Sequence, residues 1–368
     1  MGEATASQQG YWRLALLRLR ANRAAVTSLT VLGLFALFCL VGPFLSPHAY
    51  DRVYPDYVRE PASLESHPLP AQIQPAAERI AQRMRAKVEE ASVKGDAVQL
   101  RLSAPRPVDE RNLELFARSD LFGRPVVVER ADEGRRLVLE VPIERQRFLF
   151  GTDSNGRDLM SRMMVAGRIS LAVGLLASGV ALLIGVVYGA TSGYLGGVVD
   201  LALMRLVDVL YSLPFIFFVI LLVTFLGRNF LLMFVAIGAV EWLDMARIVR
   251  GQTLSLKRQE FVQAAEALGV GTSDIIRHHI IPNLIGPVVV FVTLLVPKVI
   301  LLESFLSFLG LGVQEPLTSL GVLISEGAKS IQGGAYLLIF PATMLIILLL
   351  ALNFIGDGLR DALDPRDR

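Results

Sequence analysis

Long apolar stretches alternate with charged ones along this chain, and the lengths of the apolar stretches decide how they are read. A helix needs roughly 20 residues to cross a hydrocarbon core. Six stretches suggest crossings: Ala24 to Leu45, Ile169 to Thr191, about Leu206 to Phe225, one opening at Phe230, Ile280 to Leu302, and Ala335 to Ile355. The first, second and sixth are uncharged, whereas Lys298 interrupts the fifth. The fourth is cleanly apolar only from Phe230 to Val240, so Glu241 and Asp244 are expected inside a bundle or near the interface. Gly227, Arg228 and Asn229 form a polar break before it.

Between the first and second stretches, Pro47 to Phe150 turns charged and proline-rich, which reads as a water-exposed insert. Pro75 to Val93 predicts a helix with Ile80, Met84 and Val88 on one stripe, and Val98 to Leu102 and Leu137 to Ile143 predict short strands. Together they predict a small α+β subdomain. Glu89, Glu90, Arg135 and Arg136 read as its solvated face, and no metal or nucleophile constellation stands out there.

Charge then sets orientation. Arg13, Arg18, Arg20 and Arg23 precede the first stretch with only Glu3 opposing them, which predicts a cytoplasmic amino terminus. That stretch ends in Gly-Pro-Phe-Leu-Ser-Pro without a small-residue cleavage site, so it is read as a retained helix. The loop between the fourth and fifth stretches carries Arg247, Arg250, Lys257, Arg258 and Arg277, as a cytoplasmic loop should. Outward connections offer Arg228 and Lys329. Six crossings return the carboxyl terminus to the cytoplasm. Composition agrees: 53% hydrophobic residues and a mean hydropathy of +0.52 exceed what a water-soluble surface carries. A net charge of +2 provides no global field for nucleic acid. The single cysteine, Cys39, cannot form an internal disulfide, and no Cys/His cluster has zinc spacing.

The loop after the fourth stretch is the most informative segment. Glu260 to Leu268 uses good helix formers and puts Phe261, Ala264 or Ala265, and Leu268 on one face. Gly269 and Gly271 end that helix, and Thr272 or Ser273 can cap the next. Small alanines flanked by charges suit insertion into a groove on another protein, although an ordinary interfacial helix fits the same pattern.

Ala264-Ala265, Gly269 and Pro282 fall at the spacing of the Glu-Ala-Ala loop of ABC importer permeases, which this segment resembles. Gln263 stands where that motif has glutamate and Ile281 where it has leucine. Gly151-Thr152-Asp153 and Gly156-Arg157-Asp158 resemble a signature of the dipeptide, oligopeptide and nickel class. The resemblance continues through Arg205, Asp208, Pro214, Trp242, Arg247, Arg250, Gln252, Glu303 and Leu306 to Gly312, covering Phe150 to Asp364. The first helix fits in position alone, and the insert exceeds the length expected of the family.

The resemblance implies an all-α polytopic membrane protein of six transmembrane helices in the type I ABC importer permease fold, with a small α+β extracytoplasmic insert between helices one and two. Expected boundaries are a cytoplasmic segment at 1–23, a first transmembrane helix at 24–46, a periplasmic insert at 47–150, a permease core at 151–356 and a cytoplasmic tail at 357–368. The core includes a coupling loop at about 247–283. Glu260, Phe261, Gln263, Ala264, Ala265, Glu266, Leu268, Gly269 and Pro282 would meet an ATPase subunit, with Arg247 and Arg250 supporting the loop. Asp208, Pro214 and Glu303 are candidates for the path or gate. Implied partners are a sister permease, two ATP-binding subunits, an extracytoplasmic solute-binding protein and the lipid of a bacterial inner membrane.

Polar residues near the membrane have structural readings as well. Arg205 and Asp208, three apart, can pair on one helical face. Glu303 fits a substrate contact or a packing hydrogen bond, and Lys298 can pair with an acid from a neighbouring helix. Asp153, Asn155 and Asp158 fit helix capping better than calcium binding, and the adjacent His278 and His279 point apart. No Gly-x-x-x-x-Gly-Lys-Ser/Thr loop is present, so no cofactor is expected on this chain and ATP and magnesium belong to partners. The expected function is a non-catalytic permease subunit importing di- or oligopeptides. Nickel chelates, other small solutes, export and scaffolding are the alternatives.

Overall fold

The computed structural model describes residues 13–226 and 230–363. Glu3, the break at 227–229 and the end of the tail from Asp364 lie outside them. The chain divides into two units. One comprises Met1–Leu45, Met163–Lys329 and Leu338–Arg368, and the other comprises Ser46–Arg162 and Ser330–Leu337.

The first unit is helical, as apolar chain in lipid must be to satisfy its own backbone groups. Helix α1 spans Arg23–Leu45, separated from helical residues 13–21 by Asn22, whose Oδ1 accepts the Ala25 N–H at 3.2 Å. Among the described residues, four stretches are long and apolar enough to cross a membrane: Arg23–Leu45, Leu159–Leu195, Thr272–Phe308 and Tyr336–Leu363. The expected third crossing is broken, because Leu213 adopts extended backbone (ψ 128°) ahead of Pro214. What forms instead is Gly197–Ser212 followed by Phe215–Leu226. The expected fourth becomes a 27-residue helix, Phe230–Leu256, so Arg247 and Arg250 lie on a helix and not on a loop.

The second unit contains the insert. In chain order its named elements are α2 (Pro70–Arg83), β1 (Lys87–Lys94), β2 (Ala97–Ser103), α3 (Glu110–Ala117), β3 (Val126–Ala131) and β4 (Arg136–Pro142). The strands form an antiparallel sheet in the order β1-β2-β4-β3, with Leu100 opposite both Ala91 and Leu139. Alternation puts Val98, Leu100, Leu102, Leu137, Leu139 and Val141 on one buried face, against Ile73, Ala77 and Phe116 from the helices.

The helix expected at Pro75 to Val93 is therefore corrected to Pro70–Arg83. Arg85 turns left-handed (φ 58°), the Ala86 N–H bonds Ala81 O at 2.8 Å and the Arg85 N–H bonds Gln82 O at 3.0 Å. That closure ends the helix and frees Val88 to enter an edge strand, from which it still packs on the core that holds Ile80 and Met84.

The remaining helices are α4 (Leu159–Leu195), α5 (Gly197–Ser212), α6 (Phe215–Leu226), α7 (Phe230–Leu256), α8 (Glu260–Ala267), α9 (Thr272–Ile275), α10 (Ile281–Phe308), α11 (Leu320–Lys329) and α12 (Tyr336–Leu363). A π turn, Ile276–Ile280, joins α9 to α10. The cap expected from Thr272 or Ser273 is absent: both lie inside α9, whose N-cap is Gly271 without a side-chain bond.

Candidate coupling and translocation site

Helix α8 has two distinct faces. Val262 and Ala265 are buried among Ala190, Met245, Val249 and Ile280. Phe261, Ala264 and Leu268 point outward, with Phe261 43% and Leu268 83% exposed. Of the alternatives left open by the sequence, Ala264 shares the outward face and Ala265 does not. Glu260 lies in the first helical turn, where the helix dipole favours an acid. Gly269 (φ 76°) closes the helix: its N–H bonds Glu266 O at 3.0 Å, and the Val270 N–H bonds Ala265 O at 3.1 Å. Gln263 reaches back to Arg258 O at 3.4 Å, and Pro282 opens α10 beyond the π turn.

Two contacts tie this segment to α4, and a third, between α5 and α7, fastens the helix that leads into it. Tyr194 Oη, at the end of α4, donates to Glu266 Oε1 at 2.8 Å. Lys257 Nζ donates to Tyr194 O at 2.6 Å. Arg250 grips Asp200 with two bonds of 2.6 Å, and Ser192 Oγ donates to the same carboxylate at 2.5 Å. The Arg250 guanidinium holds the Asp200 carboxyl below the usual carboxylate range. Neither Tyr194 nor Asp200 was singled out by sequence, because neither sits in a recognisable motif.

Helix α4 packs on α7 through Gly185, Gly189 and Gly193. A β-carbon at Gly193 would lie 2.8 Å from Arg250 O, one at Gly185 would lie 3.0 Å from Trp242 O, and one at Gly189 would meet Ala246 O. The Gly-x-x-x-Gly-x-x-x-Gly spacing is the familiar signal of close helix approach in membranes.

The candidates for the path divide. Asp208 Oδ1 accepts from Arg247 Nη2 at 2.9 Å, and the Arg247 guanidinium lies 4.3 Å from the Tyr211 ring centroid. The expected Arg205–Asp208 pair is thus replaced by one between α5 and α7; three residues along a helix is close in space, but Arg247 approaches Asp208 directly from the neighbouring helix. Pro214 marks the break between α5 and α6. Glu303 is wholly enclosed, accepting from Ser307 and Ser319 at 2.6 Å each and from Ser170 at 3.3 Å. Lys298 Nζ donates to Glu241 at 2.8 Å and Asp244 at 3.0 Å, so the acids of α7 meet the one base within α10.

The Gly-Thr-Asp and Gly-Arg-Asp residues form a separate knot in the second unit. Asp153 Oδ1 accepts the N–H groups of Asn155 and Arg157 at 2.8 and 2.9 Å, and its Oδ2 accepts Arg157 Nε at 2.8 Å and Arg162 Nη1 at 2.5 Å. Its role is ion pairing in a turn, so the capping expected of it is corrected. Asp158 does cap α4, accepting the Ser161 N–H at 2.7 Å, and burial pushes its carboxyl up. Thr152 donates its hydroxyl to Tyr57 O and accepts the Glu60 N–H at 2.8 Å. Gly151 (φ 77°) and Gly156 (φ 82°) sit where a β-carbon would strike the carbonyls of Glu60 and Tyr54. Tyr336 Oη lies 2.8 Å from Thr152 O and 3.0 Å from Glu60 O. Among the described residues, no three His, Cys, Asp or Glu side chains converge as metal ligands.

Comparison with known proteins places this architecture. Residues 181–368 match the family described as binding-protein-dependent transport system inner membrane component. Residues 10–64 match the N-terminal TM domain of oligopeptide transport permease C, which extends the resemblance to the first helix by sequence and not merely by position. The oligopeptide transport system permease protein OppC of Escherichia coli K12 is 46% identical over 357 residues, covering 97% of this chain and 92% of that protein. The OppC protein of Salmonella typhimurium is 63% identical over 219 residues, covering 60% of this chain and 72% of that protein. The dipeptide transport system permease protein DppC of Bacillus subtilis is 46% identical over 220 residues, 60% of this chain and 69% of that protein. A solved inward-facing MetNI methionine ABC transporter aligns with a TM-score of 0.46 at 18% identity, covering 54% of this chain and 94% of that one. With residues 181–368 and 10–64 both matched, and a curated relative aligned along nearly its whole length, this chain belongs to the inner-membrane permease components of binding-protein-dependent ABC importers.

Proposed function

We propose that this chain forms half of the translocation path of an importer for di- or oligopeptides, crossing the inner membrane six times with both termini cytoplasmic. In this reading the broken α5–α6 segment, from about Leu206 onward, makes the third crossing and α7 the fourth, and the unit containing the sheet is a periplasmic α+β insert. A sister permease supplies the other half, two ATPase subunits drive the pair, and a solute-binding protein delivers cargo. The chain itself carries no catalytic group or cofactor. Peptide is favoured over nickel or other solutes by the oligopeptide and dipeptide transport names of the relatives.

The observation that carries the coupling role is the outward face of α8. Phe261, Ala264 and Leu268 lie exposed on a short helix whose opposite face and Glu266 are anchored to the unit. An exposed apolar stripe around one small residue, on an anchored base, suits a helix received by a groove. A push on it passes to α4 through Tyr194. Rigid-body rocking then needs only that the ATPase bind the two pore states with different affinity.

Ala264→Arg tests this, because it changes the outward face while leaving the inner packing of Ala265 untouched. In the reconstituted complex, the substitution is expected to abolish binding-protein-stimulated ATP hydrolysis and peptide uptake with the chain still folded. Stimulation at the wild-type level would remove α8 from the coupling role.

A further inference from the structure

Lys298 lies in a stretch apolar and long enough to cross a membrane, about 15 Å along the helix from its end at Phe308. Because Glu241 Oε2 and Asp244 Oδ2 both bond its Nζ, they share its depth. The cluster is closed on one side and open on the other: the side chain of Glu241 is 5% exposed, Asp244 30% and Lys298 49%. A charge facing hydrocarbon deep in the membrane is costly, so the open side faces water or protein. Glu303 differs, with three hydroxyl donors and no exposure.

Two features give the open side its chemistry. Two carboxylates share one ammonium group, which leaves acceptor capacity for a second cation. Arg247 follows Asp244 by about 4.5 Å along α7 and pairs with Asp208, so an acid-rich level is succeeded by a base on an exposed part of the same helix. We propose that Lys298, Glu241 and Asp244 form a contact on the translocation path for the ammonium group at the amino end of the cargo. This inference rests on the peptide-import reading above. Asp244 exchanges Lys298 for the cargo ammonium while Lys298 keeps Glu241. One cation replaces another, so the contact selects charge without trapping what it selects, as a conducting site requires.

The test uses the complete importer with its binding protein, reconstituted in vesicles, and compares saturating uptake of tri-alanine with that of N-acetyl-tri-alanine. Asp244→Asn removes the open carboxylate and spares the Lys298–Glu241 pair. Tri-alanine uptake is expected to fall about tenfold, the scale of one charge-assisted hydrogen bond, while N-acetyl-tri-alanine uptake barely changes. Asp244→Glu is expected to restore tri-alanine uptake. Equal losses for both peptides, or none for either, overturn the assignment. Failure of the Asp244→Asn chain to co-purify with the sister permease also overturns it, by making the cluster a subunit contact. A wild-type complex that moves neither peptide removes the import reading and the inference together, whereas normal wild-type uptake with an indifferent Asp244→Asn variant removes the inference alone.

Discussion

Asp200 shows how a single carboxylate can fasten two helices. Two guanidinium bonds and a serine bond favour its ionised form, so its carboxyl titrates below the ordinary value. A depressed folded-state value means that the unfolded chain binds the proton more readily. The pair's stabilisation is therefore complete above the ordinary carboxyl value of about 3.9 and is lost as pH falls through the lowered one. Asp200→Asn is expected to lower thermal stability at pH 7 and to remove part of the acid sensitivity seen in detergent melts between neutral pH and about pH 3. An acid dependence as steep in the variant as in wild type would place the titrating group elsewhere. Sequence offered no hint of this residue, since Asp200 and Arg250 are fifty positions apart and meet only when α5 returns beside α7. Lys298 was more legible, because a base within an apolar stretch requires a partner; only the fold chose Glu241 and Asp244.

At the scale of elements, the Gly185, Gly189 and Gly193 stripe lets α4 approach α7 until backbone nearly touches backbone. Gly189→Leu is expected to cost at least about 1–3 kcal/mol, as overpacking does where the obstacle is a carbonyl and cannot turn aside. The measurement is the melting temperature of the purified chain, and an unchanged value would show that the helices are not held this closely. Gly179, on the same helix, has nothing within 4 Å of a built β-carbon and provides the control. Helix α8 teaches a related lesson. Its existence, its end at Gly269 and its apolar outward residues follow from local spacing, whereas the inward direction of Ala265 depends on the packing of α8 against α4 and α7. The end of α2 is not legible in the sequence because its stop is a left-handed Arg85, a conformation that the identity of arginine does not announce.

For the whole molecule, the insert enters and leaves at neighbouring points. The His67 N–H bonds Gln146 O at 2.8 Å, and the Gln146 N–H bonds His67 O at 2.8 Å. The segment between them carries its own sheet and core, and it falls between the two matched family regions, residues 10–64 and 181–368. Adjacent ends make such a segment separable. Replacing residues 69–144 with a short Gly/Ser turn is expected to leave membrane insertion and assembly with the proposed sister permease intact. Co-purification checks this, and loss of assembly would give the insert a structural duty beyond its own core.

The sequence by itself determined the chain's residence in lipid, the α8 hairpin and the family, because each depends on local quantities: the length of an apolar stretch, helical spacing, and glycines placed after a helix. Tertiary structure alone decided which charges meet. It replaced Arg205 with Arg247 at Asp208, enclosed Glu303 among three serines, and left Asp244 and Lys298 half open. Pairing of this kind depends on how helices distant in sequence lie beside one another, and the local pattern of a chain contains no record of that distance.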